Sequence, residues 1–188
     1  MRALLASVRF AVALSLAGCA ATPPPAGAQP QAAFAAPGAV GARQASQVIH
    51  AAYGARTFML RTAIEVTPDE LKVVGVTATG QRLFTANYDG RTIAADRSPF
   101  VPDKLDPERV LADMQLALWP LAAVQPMFRA RGLEVSEPFA GVRRASRGNQ
   151  LIAEVHYATA DPWNGRLWFV NFEFDYSLTI DTTTGASN

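Results

Sequence analysis

From Trp168 to Ile180 the chain alternates with a period of two. Trp168, Val170, Phe172, Phe174, Tyr176, Leu178 and Ile180 are apolar, while Asn171, Glu173, Asp175, Ser177, Thr179 and the following Asp181 are polar. Successive side chains of a strand point to opposite faces, so the pattern predicts one long strand, its even positions on a core and its odd positions in water. A slip of one residue would exchange the two faces, so the register must be fixed. A helix of this sequence would spread its apolar residues around the whole circumference.

The rest of the chain from about residue 47 is punctuated the same way. Arg56 to Val66 places Phe58, Leu60, Ile64 and Val66 against Arg61 and Glu65. Further strands are expected at Leu71–Thr77, turning at Thr79-Gly80, at Arg82–Tyr88, turning at Asp89-Gly90, and at Arg91–Arg97, stopped by Ser98-Pro99. A helix then interrupts. Asp106 can cap it, Pro107 suits its first turn, Glu108 complements its dipole, and Val110, Leu111, Met114 and Leu118 form its apolar stripe. Pro120 breaks it, a shorter helix follows through Met127 and Phe128, and Gly132 ends that one. Strands resume at Leu133–Val135 and Gly141–Ser146, turn at Gly148-Asn149, continue from Leu151 to Tyr157, and turn again at Asn164-Gly165.

The front end is different. Arg2 opens a run rich in Ala, Val and Leu that is too short to span a bilayer and reads as an export signal over residues 1–18. Leu16-Ala17-Gly18-Cys19 resembles the lipobox of bacterial lipoproteins, which implies that Cys19 is lipidated and becomes the mature N-terminus. Ala20 stands where an Asp would resemble the inner-membrane retention signal. The resemblance therefore implies the periplasmic side of the outer membrane. Residues 20–42 hold ten Ala, five Pro, three Gly and no charge, so residues 19–46 read as a lipidated cysteine and its tether. Residues 47–184 read as one folded domain and 185–188 as a tail.

Several chemistries are disfavoured. Without Arg2 and Arg9 the chain carries 15 basic against 16 acidic residues, which lacks the basic face of a nucleic-acid binder. One cysteine allows no internal disulfide. His50 and His156 sit in no metal-ligand spacing; His156 reads as a polar-face residue rather than a catalytic base. Asp96, Asp103, Asp106, Glu108 and Asp113 fit helix capping and a solvated face better than a metal site or a glycosidase pair. No nucleophile elbow or phosphate loop is present, so no enzyme, metal or cofactor is expected.

The helix within a meander, the amphipathic last strand and the lipid anchor together resemble the LolA/LolB lipoprotein carriers. The matching segments are Val110 to Pro120 and Leu151 to Ile180. Arg97-Ser98-Pro99-Phe100, Gln115-Leu116 through Trp119-Pro120, Pro162-Trp163 and Asn171 resemble a group of LolB-like lipoproteins often found near aryl polyene or fatty-acid synthesis genes. The resemblance implies a mostly β fold, an unclosed antiparallel β-barrel with a helical lid, and a non-enzymatic role in binding an acyl chain or another hydrophobic ligand during lipid, lipoprotein or polyene-lipid transfer. The ligand-binding candidates are Phe84, Met114, Leu118, Trp119, Trp168, Phe172 and Phe174. The chain departs from LolB at Thr77 to Gly80, where that family carries an exposed apolar loop; Phe100 and Val101 either replace it as a membrane tip or pack under the helix. The alternative function is a scaffold lipoprotein whose barrel is packed by its own side chains. The expected partners are the membrane, through the lipid, and the acyl ligand. If Cys19 carries the anchor, Cys19→Ser leaves outer-membrane fractions, and its persistence in a carbonate-washed pellet would refute the anchor.

Overall fold

The computed structural model describes residues 34–99 and 106–185. The signal segment, Cys19, the tether up to residue 33, Phe100, Val101, Asp103 and the last three residues lie outside them. Strands β1 (Arg43–Tyr53), β2 (Arg56–Val66), β3 (Leu71–Thr77), β4 (Arg82–Tyr88) and β5 (Ile93–Arg97) come first. Helices α1 (Pro107–Leu118) and α2 (Leu121–Ala130) follow. Strands β6 (Glu134–Phe139), β7 (Val142–Arg147), β8 (Gln150–Tyr157), β9 (Gly165–Asn171) and β10 (Tyr176–Thr184) complete the chain.

All ten strands form one antiparallel sheet in the order β5-β4-β3-β2-β1-β10-β9-β8-β7-β6. Two five-stranded meanders are thus joined by the pairing of β1 with β10. The two edge strands do not pair with each other, and the helices carry the chain from one edge to the other. The sheet is an unclosed barrel, as expected.

Two sequence readings need correction. The first concerns the start of the fold. A 3-10 turn at Pro37–Val40 lies inside the segment read as tether, and strand β1 begins there too, at Arg43, four residues before residue 47. Strand β1 presents Ala45, Gln47, Ile49 and Ala51 inward, small or polar side chains with little alternating signal. It is nevertheless the strand that joins the meanders.

The second concerns the long last strand, which is two strands. Phe172 to Asp175 form a turn, with Asp175 in the left-handed region at φ 53°. The Asn171 carboxamide oxygen accepts hydrogen bonds from the Glu173 and Phe174 amides at 3.1 and 3.0 Å, which tightens the turn. Facing therefore changes across it. In β9 the odd positions Leu167, Phe169 and Asn171 are buried and Trp168 faces out, whereas in β10 Ile180 and Thr182 face in.

The inner face is mostly apolar; its polar members are a rung through Gln47, and Arg143 and Asn171 on the second meander. The buried Gln47 donates to Thr182 Oγ1 at 3.0 Å, and its carbonyl accepts from Thr62 Oγ1 at 3.2 Å, so β10, β1 and β2 are cross-linked through side chains. Elsewhere Leu71, Val73, Phe84, Phe169 and Ile180 of the sheet meet Leu111, Leu116, Leu118, Val124 and Phe128 of the helices in one core.

The seat of α1 follows from Pro120. The carbonyl of Leu116 would accept from the amide four residues on, and Pro120 has none. Arg143 of β7, buried, supplies the donor: one guanidinium nitrogen lies 2.7 Å from Leu116 O and 2.6 Å from Trp119 O. Tyr157 Oη donates to Ala117 O at 2.7 Å and Trp163 Nε1 to Leu118 O at 3.0 Å. The guanidinium is a cation at the negative end of the helix, and Glu137 balances it at 2.6 Å. One end of the lid is thus bolted to β7, β8 and the β8–β9 loop.

Gly75 lies opposite Phe84 across the β3–β4 ladder, and a Cβ there would fall 2.2 Å from the buried Phe84 ring. Gly75→Ala is expected to destabilise the fold by about 1–3 kcal/mol, measured by chemical denaturation. An unchanged midpoint would show that the ring can move aside.

Candidate functional site

The strand registers define two ends of the barrel. Tyr53 pairs with both Arg56 and Tyr176, and Tyr176 with Asn171, so the β1–β2 and β9–β10 turns sit side by side. At this end the inner-face row reads Phe58, Ala51, Leu178, Phe169 across four strands. Ala51 and Phe169 are buried, Leu178 is half-buried, and Phe58 is 47% exposed. The apolar lining of the sheet therefore reaches solvent here. Phe172, 52% exposed, and Phe174, 39% exposed, stand on the neighbouring turn.

A polar cluster joins α1 to this rim. Tyr176 Oη donates to the Asp113 carboxylate. Asn171 Nδ2 lies 3.3 Å from Tyr176 Oη, and the Arg109 guanidinium sits 3.7 Å above the Phe174 ring. Burial pushes the Asp113 carboxyl up to about 7, against the opposing pull of the Tyr176 bond and the Arg109 charge. Burial and the adjoining carboxylate raise the Tyr176 phenol. At the other end of α1, burial raises Tyr157 to about 12. Both phenols keep their protons and act as donors.

The proposed ligand-binding residues do not converge on one cavity. Phe84, Met114, Leu118 and Trp119 lie together in the core, Trp119 packed on Trp163 with centroids 5.6 Å apart. Trp168 faces outward on β9, and Phe172 and Phe174 belong to the rim turn, so the expectation that the even face from Trp168 looks into the barrel fails for these three. Two hollows, of about 470 and 370 Å³, are lined mostly by outward-facing residues. The larger is lined by His50, Thr57, Met59 and Thr179 and reaches Ala51 and Phe58 of the inner-face row at the rim. Pairing places His156, Trp168, Thr179, His50 and Met59 in one row across that outer face. His156 bonds Glu154 at 2.5 Å.

Phe58, Asp113, Tyr176 and Leu178 carry no site signal of their own in the sequence. By composition Asp113 reads as one of several solvated acids. Its i+4 spacing from Arg109 placed it on the helix, but only the fold brings Tyr176 to it. Asp106 does cap α1, accepting from the Glu108 amide at 3.1 Å, and Asp96 pairs with Arg82 at 2.9 Å. Among the described residues no group of three or more His, Cys, Asp or Glu is placed to hold a metal. No helix among them is long and apolar enough to cross a membrane.

These features define a ten-stranded unclosed barrel with a two-helix lid and an apolar rim. The chain belongs to the family described as "Protein of unknown function (DUF3261)", whose model matches residues 44–184. It is similar to a solved LolA superfamily protein, NE2245 from Nitrosomonas europaea, at 8% identity and a TM-score of 0.42, covering 79% of this chain and 87% of that one. It is also similar to a DUF1329 family protein from Desulfovibrio piger ATCC 29098, at 7% identity and a TM-score of 0.37, covering 76% and 84%. No curated protein matches.

Because the folded Asp113 holds its proton above its ordinary value of 3.8, it binds that proton more tightly than the unfolded chain does. Its contribution is fullest below that value and is lost as pH rises through about 7. Thermal unfolding across this window should show the wild type losing stability relative to Asp113→Asn, by at most about 1.4 kcal/mol per pH unit. A pH-independent difference between the two would refute the shifted carboxyl.

Proposed function

We propose that this chain binds the acyl part of a lipid at the open rim of its half-barrel without catalysing a reaction. We further propose that Cys19 tethers it to the periplasmic side of the outer membrane for lipid, lipoprotein or polyene-lipid transfer. The observation that carries this reading is Phe58, an inner-face residue by register that is nearly half exposed beside half-buried Leu178 and Tyr176. An apolar lining that reaches solvent at this end is an entry for an apolar chain. Asp113, Tyr176 and Arg109 border it with polar groups suited to a lipid head.

Burial of each methylene contributes about 0.8 kcal/mol, close to fourfold in affinity. Dodecanoate is therefore expected to bind the full chain with about micromolar affinity after ordering costs, and to tighten with added methylenes until the buried length is filled. Phe58→Asp should weaken binding about tenfold or more, with little change in stability because the ring is half exposed. Trp168→Ala, on the outer face, should leave binding unchanged. Calorimetric titration reads all three.

A second reading has its own observation. Phe84, Trp119, Trp163 and Phe169 are almost wholly buried, so the interior is filled by the protein's own side chains. On that reading the chain is a scaffold, and dodecanoate gives no saturable heat up to its solubility limit.

A further inference from the structure

Gln115 is a polar side chain on the lid, fully buried, that the acyl-binding reading does not use. Its amide is spent on the main chain of one residue eighty positions earlier. Gln115 Nε2 donates to Ala35 O, and Gln115 Oε1 accepts from Ala35 N, both at 2.9 Å. Trp119 Nε1 donates to Ala36 O at 3.0 Å, and Tyr88 Oη to Phe34 O at 3.1 Å. Three buried side chains therefore make four hydrogen bonds to three consecutive residues.

The side chains of this segment are held as well. The Phe34 ring packs on Tyr88 with centroids 5.5 Å apart, and the Arg131 guanidinium lies 4.6 Å from the centroid of the same Phe34 ring. Ala35 and Pro37 are buried. Ala36 is extended, at φ −56° and ψ 138°. The contacts read main chain first, then an aromatic residue, a small residue and a proline. That is a site for an extended, uncharged peptide.

Its partners span the molecule. Tyr88 belongs to β4, Gln115 to α1, Trp119 follows α1, and Arg131 follows α2. The opposite side of α1 is fixed to β7, β8 and the β8–β9 loop by Arg143, Tyr157 and Trp163. Lifting the lid away from β4 therefore requires the 34–36 segment to leave, while the bolted side stays in place.

We propose that Tyr88, Gln115 and Trp119 form a peptide-binding site between β4 and the lid, which the chain fills with its own Phe34–Ala36, and that this segment is the catch that keeps α1 on the β4 side of the sheet. In sequence the catch lies within the uncharged segment, residues 20–42, that follows Cys19. The catch deepens the acyl-binding reading, since it governs access to the lining, but it is a property of the lid that can be measured without a lipid.

The test is hydrogen exchange of the full chain, wild type against two variants that break the catch from opposite sides. Gln115→Leu keeps the volume of the side chain and removes both of its bonds to Ala35. Ala35→Pro removes the Ala35 amide and leaves α1 unaltered. Each is expected to raise exchange about tenfold or more over residues 34–36 and over α1 together, with β7–β9 unchanged. Release of 34–36 with α1 exchanging as in the wild type would overturn the proposal. If Gln115→Leu does not fold, Ala35→Pro decides alone. Dodecanoate association, measured on the same samples, separates the two readings. Faster association in both variants supports both. Raised α1 exchange with no dodecanoate binding to any sample upholds the catch and removes the acyl-binding reading. Unchanged α1 exchange with normal binding does the reverse.

Discussion

A proline that cannot donate a hydrogen bond determines how the lid meets the sheet. Pro120, itself exposed, ends α1 just after the buried stretch Leu116 to Trp119, where unpaired carbonyls would each forfeit about 1–3 kcal/mol. The fold answers with a guanidinium, a phenol and an indole from three different parts of the second meander. None of these donors is local in sequence, so α1 is complete only after β7, β8 and the β8–β9 loop are in place. Arg143 is the most consequential of the three. It serves two carbonyls, faces the negative end of the helix dipole and is itself neutralised by Glu137. Removing this buried cation leaves the carbonyls of Leu116 and Trp119 without a donor, while Glu137, 42% exposed, stays in contact with water.

Much of the architecture was legible because local chemistry and the global fold agree. Strands β3 and β4 alternate cleanly between glycine-marked turns, and their ends fall where the turn residues place them. Asp106, Pro107 and Glu108 announce α1, and Pro120 divides it from α2. The failures have definite causes. The inner face of β1 is built from two alanines, an isoleucine and a glutamine, because larger neighbours fill the space, so hydrophobic periodicity is weak where pairing is densest. At Phe172–Asp175 the turn is written in phenylalanines and acids whose spacing continues the alternation of the strands on either side. Only Asn171 and the left-handed Asp175 betray it, and both also fit the polar face of a strand.

The candidate site was less legible for a related reason. Aromatic residues grouped by their alternation are separated by the hidden turn into core, outer face and rim. Phe58 reads as an ordinary inner-face residue, and its exposure follows from its place near the end of the barrel, where the described residues leave it 47% exposed. Asp113 looked like one acid among several, and its environment depends on Tyr176, sixty-three residues away. Periodicity reports which face a residue occupies; it does not report how far along the barrel that face is closed.

The Gln47 rung bears on how the molecule is made. Its two threonine partners lie 15 and 135 residues away, on β2 and on β10. The first meander can form early, but its strand β1 must hold an unpaired edge open until nearly the whole chain is available. Contacts of such long sequence separation form slowly, and an open apolar edge is a target for wrong partners. Gln47 makes that edge selective: an intruding strand without a hydroxyl at the right step would strand its amide among apolar side chains. The central seam of the sheet thus distinguishes its own strands from others through a buried amide.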